Sequence, residues 1–208
     1  MSHPYVYGIV RAEDAIELET DAIAGADRVY PVENGQLAAM VSDIETTDPE
    51  RTDENATRHD EVLRELMTTD GGRAIVPMQF GMAFQNERAL KNVLRGGRPA
   101  FRRSLEEIDG AVELGVKLVR DDGATVDEEA VRGAVADELD PIAVDAADNG
   151  LFSDRLVMNR SYLVERDDRT AFDEAIGRLE DDHEELTIRY TGPFAPYSFV
   201  DVQIGAQR

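Results

Sequence analysis

The chain has no cysteine and only three histidines, so thiolate chemistry, disulfides and thiolate zinc sites are excluded, and acid–base or metal chemistry rests on His3, His59 and His183. His3 lies at the terminus. His59 sits beside Asp60 and Glu61 without a second histidine four residues away, so the sequence makes no helical metal pair, and a solvated helix face is expected. His183 falls at a helix end, where a partly positive imidazole complements the dipole. Asp145–Gly150 resembles part of a calcium loop, but Ala147 stands at the third ligand position and Leu156 at that of the bidentate glutamate, which argues against calcium. Gly71-Gly72-Arg73 and Gly96-Gly97-Arg98 could present amides and guanidinium to phosphate; lacking a Walker or dinucleotide fingerprint, they are better explained as helix ends. With 44 acidic residues, carboxylate pairs carry no information, and no catalytic residue, cofactor or metal site is assigned.

Two other segments stand out. Pro77–Phe84 places Met78, Phe80, Met82 and Phe84 around Gly81, which suits a core loop or an adaptable apolar docking surface. Thr191–Phe199 holds Phe194, Tyr197 and Phe199 on a stretch stiffened by Pro193 and Pro196, which suits a structural brace or a set of rigid aromatic anchors.

The elements that must position these residues follow from periodicity. Tyr5–Val10 reads as a buried strand; Arg28–Val32 and Leu37–Val41 flank the hairpin dipeptide Asn34-Gly35. A polar loop leads to an amphipathic helix over 56–69 with Val62, Leu63, Leu66 and Met67 inward, then a strand at 74–78. Asn86 caps a helix ended by Gly96-Gly97, and Pro99 opens another. Alternation at Val112, Leu114, Val116 and Leu118 predicts a strand with one solvated face. Thr125 and Glu128 suggest a capping box before a helix that Pro141 ends, and 141–149 reads as an acidic loop. A strand over 156–164, a helix striped by Phe172, Ile176 and Leu179, and a strand at Leu186, Ile188 and Tyr190 give the order β-α-β-α-β. The fold class expected is α+β, with two mixed domains: residues 1–109 with the hairpin, and a ferredoxin-like 110–208.

Composition adds the setting. The net charge is −22, and of 22 basic residues only Lys91 and Lys117 are lysines, the bias of a protein in a salt-rich cytoplasm. No basic stripe is evident, so nucleic acid is not expected as a partner, and no signal or membrane-spanning run is visible.

Tyr5–Val10, Val76–Gly81, Ser161–Val164 and Gly192–Phe199, in that order, resemble the gas vesicle protein F/L family in its haloarchaeal form. Phe194 stands where a tryptophan is more usual. The resemblance implies a two-domain accessory protein, a minor component of gas vesicles, with the major shell protein and other accessory proteins as partners; the residues themselves add the expectations of no enzymatic activity, no membrane contact and a place in the cytoplasm. In that role it would limit aggregation of the hydrophobic shell subunit and assist vesicle nucleation, with Met78, Phe80, Met82, Phe84, Phe194, Tyr197 and Phe199 as candidate contacts. The alternative is a small-molecule enzyme or ligand-binding regulator on a ferredoxin-like fold.

Overall fold

The computed structural model describes residues 2–200. Contacts divide the described residues into two compact units, 2–109 together with 195–200, and Gly110–Phe194. The boundary expected near Gly110 had carried all of 110–208 into the second domain. Residues 195–200 instead group with the first unit, and 201–208 lie outside the described residues.

The first unit is built on β1 (His3–Arg11), where β-branched and aromatic residues make a strand buried almost throughout. Following it are β2 (Leu18–Glu19), β3 (Arg28–Asn34) and β4 (Leu37–Ile44), then α1 (Asp53–Thr68), β5 (Val76–Pro77), α2 (Glu87–Gly96) and α3 (Arg98–Glu107). The strands form one sheet in the order β2-β3-β4-β1-β5, antiparallel at every pairing. At the β3–β4 turn Gly35 has φ +68°, which a side chain would strain, and Asn34 pairs with Leu37 as the hairpin dipeptide predicts.

A bulge in β1 decides which residues meet. Val6 pairs with Val41 and Gly8 with Met40, so Tyr7 is the extra residue. Across the bulge the side-chain parity flips. Ile9 therefore joins Val6 in a cluster with Val32, Val41, Leu90, Leu94, Phe101 and Leu105, the face that α2 and α3 cover. Tyr5 and Tyr7 turn toward α1 and its His59.

The second unit contains β6 (Ala111–Arg120), α4 (Glu128–Leu139), β7 (Asp145–Asp148), β8 (Leu156–Glu165), α5 (Arg169–Asp182) and β9 (Leu186–Phe194). Its antiparallel sheet has the order β7-β8-β6-β9, the arrangement of a ferredoxin-like β-α-β-β-α-β unit. Three local expectations are corrected. Residues 141–149 are not all loop: Asp145–Asp148 pairs with Arg160–Leu163 as an edge strand, supplying the strand missing from β-α-β-α-β. Asp127, not Thr125, caps α4, its carboxylate accepting from the Ala130 amide at 3.2 Å. Glu113, on the face of β6 expected to be solvated, is buried.

Candidate functional site

The Met78–Phe84 loop is fastened by its backbone. The Met78 amide donates to the Tyr7 carbonyl at 2.8 Å, the Val6 amide to the Met82 carbonyl at 2.8 Å, and the Phe84 amide to the Pro4 carbonyl at 2.9 Å. Gly81, at φ +96°, turns the loop between these anchors, and its amide donates to the Tyr5 hydroxyl at 3.3 Å. The loop is thus held along the edge of β1 while several of its side chains remain accessible.

Those side chains divide. Met78 is buried in the core, whereas Phe80, Met82 and Phe84 are half-buried. Met82 and Phe84 rim the α2–α3 side of the core, as do Tyr30, Phe199 and Val200. Phe80 lies over the other face, 6.1 Å from the Tyr5 ring and 6.0 Å from His59, with the Arg51 guanidinium 5.2 Å from its ring centroid and donating to its carbonyl. Phe194 belongs to β9 of the second unit and is exposed. The structure therefore brings Met82, Phe84 and Phe199 to one cluster, sends Met78 inward, and leaves Phe194 in the other unit.

Beneath the loop lies a polar knot centred on His59. Its Nε2 is 3.0 Å from the Met78 carbonyl oxygen, an acceptor, so Nε2 carries the proton; Nδ1 then accepts from the Tyr5 hydroxyl at 2.7 Å. The Tyr197 hydroxyl, 3.0 Å from Nε2, donates to the same carbonyl at 3.2 Å. His59 is 2 % exposed, and burial pushes its pKa down to about 4; burial likewise pushes the Tyr5 hydroxyl well above its ordinary range. A neutral imidazole with both ring nitrogens engaged is a clasp joining β1, α1, the loop and the segment after Ala195. The expectation of a solvated His59 is thereby corrected. Its spacing held the signal: positions 59, 62, 63 and 66 form one apolar stripe of α1.

The other candidates resolve into structural roles. Arg73 is buried, and its guanidinium donates to the carbonyls of Leu66 and Thr69, closing the end of α1. His183 is the C-terminal cap residue of α5, with Glu185 at 3.5 Å. Asn149, in the calcium-like stretch, donates to Ser161 Oγ at 3.0 Å, and Asp148 pairs with Arg160. Among the described residues no group of three His, Cys, Asp or Glu side chains could hold a metal ion, and no helix is long and apolar enough to cross a membrane.

Two surfaces escaped the sequence reading. Val144, just before β7, and Leu151 and Phe152, in the β7–β8 connection, are exposed, and Phe152 is 74 % exposed, with the Lys117 ammonium 5.5 Å from its ring centroid. The expectation of no basic stripe is also corrected: Arg88, Lys91 and Arg95 line one open groove on α2, and the run 88–105 contains no acid. Its signal was local charge, hidden by the net total.

The sequence matches the family described as gas vesicle synthesis protein GvpL/GvpF over residues 4–132 and 124–201. It is 53% identical over 205 residues to gas vesicle protein F of Haloferax mediterranei, covering 98% of this chain and 96% of the relative. To gas vesicle protein F2 of Halobacterium salinarum it is 52% identical over 208 residues, covering 100% and 96%. The crystal structure of GvpF from Anabaena sp. has the same fold, with a TM-score of 0.84 at 19% identity over 98% of this chain and 100% of that one.

Proposed function

The chain belongs to the gas vesicle synthesis protein GvpL/GvpF family, and from that premise we propose that it is a binding protein for the hydrophobic major shell subunit, shielding it from aggregation while vesicles nucleate and grow. An accessory role in gas vesicle formation accords with relatives sharing half of the sequence. The observation that carries the finer reading is the Met78–Phe84 loop: a backbone fixed to β1 at both ends presents Phe80, Met82 and Phe84 half-exposed, with Phe199 on the same cluster rim as the last two. Fixed aromatics and methionines lose little entropy on binding, and methionine adapts to irregular apolar surfaces.

A subunit with a water-repelling side exposes more apolar surface than a soluble monomer tolerates, so it needs a cover until it is incorporated. An acidic carrier keeps the covered complex soluble. Catalysis has no place in this account, because the histidine nearest the loop is spent in the clasp. Other accessory proteins of the vesicle are further partners, and the vesicle surface with the surrounding cytoplasm is the site of action.

The test is capture of the purified major shell protein on immobilised chain in 2 M KCl. Wild type retains it, and Phe80→Ala/Met82→Ala/Phe84→Ala reduces retention at least tenfold while circular dichroism shows the variant folded. Failure of folded wild type to retain the shell protein overturns the shell-binding reading, and undiminished capture by the folded variant overturns the assignment of the loop.

A further inference from the structure

Basic charge is concentrated where acid is absent. Residues 71–105 contain a single acid, Glu87, in a chain with 44, while Arg88, Lys91, Arg95, Arg98, Arg102 and Arg103 are six of its 22 basic residues. Helical spacing aligns Arg88, Lys91 and Arg95 on one side of α2, spanning about 10 Å at 1.5 Å per residue, where with Asn34, Asn92 and the single acid Glu87 they line a groove of about 460 Å³. The groove is braced from below: Asn34 Nδ2 donates to the Lys91 carbonyl at 3.2 Å, and the Arg98 guanidinium donates to Asn34 Oδ1 at 3.3 Å. Lys91 reaches Glu87 at 3.0 Å, but Arg88 and Arg95 are exposed and have no carboxylate within ion-pair distance among the described residues. The stripe thus carries two cations free to meet a partner's carboxylates.

We propose that the α2 groove is a docking surface for a carboxylate-bearing helical segment of another protein. The charge selects an anionic partner, and the setting selects which anion. Phosphate-backbone binding draws its strength from counterion release, so three such contacts weaken by about three-thousandfold between 0.1 and 2 M salt. Bidentate guanidinium–carboxylate hydrogen bonds act at short range and, once a docked partner covers the groove, are screened far less. Arginine, weakly hydrated and planar, suits that contact better than lysine, and it supplies two of the three groove cations. A helix with glutamates at i, i+3 and i+7 repeats the spacing of the stripe. This surface is separate from the apolar loop and does not depend on the identity of the loop's partner.

The test uses fluorescence anisotropy in 2 M KCl with the full chain and a labelled 18-residue helical peptide bearing glutamates at that spacing. Its controls are the same peptide with glutamines, and a labelled oligodeoxynucleotide. The glutamate peptide is expected to bind at least tenfold tighter than the glutamine peptide, and Arg88→Gln/Lys91→Gln/Arg95→Gln to lose that preference. The glutamine peptide probes the same contact on unaltered protein, so the result does not depend on how the variant folds. Equal affinity for the two peptides, an unchanged preference in the folded variant, or tighter binding of the oligonucleotide overturns the proposal. So does self-association of the wild type, in sedimentation, that the triple substitution abolishes, since the groove's occupant would then be a second copy of the chain.

Discussion

His59 shows how a side chain buried in a structural clasp carries charge linkage. Folded, it resists protonation until about pH 4, because burial penalises the imidazolium; unfolded, it takes the proton near pH 6.5. The unfolded state therefore binds more protons between these values, and stability from this group is complete above about pH 6.5 and lost as pH falls toward 4, by up to about 3 kcal/mol. Denaturation of wild type and His59→Gln at constant 3 M KCl should show a stability gap that narrows from pH 7 to pH 4.5; a gap independent of pH would contradict the neutral clasp. The residue was legible in part. Its place on the stripe of α1 pointed inward, but its partners did not follow from the sequence, because Tyr5, Met78 and Tyr197 approach it from three distant segments. The same holds for Met78, whose burial is set by the strand before it.

Among the elements, long periodic segments were readable: β1, the β3–β4 hairpin, α1, α2, α5, β8 and β9 all stand where their patterns put them. The strand that was missed, Asp145–Asp148, has the wrong composition for a strand and forms because β8 offers a ladder edge, where tertiary pairing overrides propensity. The bulge in β1 was equally hidden, since the run Tyr5–Val10 is apolar on both faces and gives no parity to read. Gly8 marks it physically: a Cβ there would lie 2.5 Å from Ile75 Cγ1 and 2.9 Å from the Val76 carbonyl oxygen. Gly8→Ala should destabilise the first unit by about 2 kcal/mol, the scale of overpacking in a closed site, as measured by denaturant unfolding. A cost under about 0.5 kcal/mol would mean that β5 does not approach β1 so closely. The loop that follows β5 would then lose the footing that holds Phe80 and Phe84 in place.

For the whole molecule, salt is part of the fold. At a net charge of −22 the carboxylates repel one another, and the Debye length grows from about 3 Å at 1 M to about 30 Å at 0.01 M. The ion pairs are mostly solvent-exposed and offset little of that repulsion. Far-UV circular dichroism should lose its helical signal on dialysis into millimolar salt and recover in 2 M KCl; a spectrum unaffected by desalting would contradict this. Charge also explains what sequence reading could and could not see at this scale. The total announced a salt-adapted protein but concealed the acid-free run around α2, and the pattern of strands gave both α+β units but not the regrouping of residues 195–200 with the first. On the proposed reading, covering an apolar subunit asks for a fixed apolar surface in an otherwise highly charged chain, and Phe80, Met82 and Phe84 would supply it. Photocrosslinking tests that claim most directly: a benzophenone amino acid placed in turn at Phe84, at exposed Phe152 and, as a control, at exposed Glu174 of α5, with the major shell protein in 2 M KCl. Crosslinking to the shell subunit from position 84 and not from 174 is the predicted result; equal yields from both positions, or none from 84 while position 152 crosslinks, would contradict it.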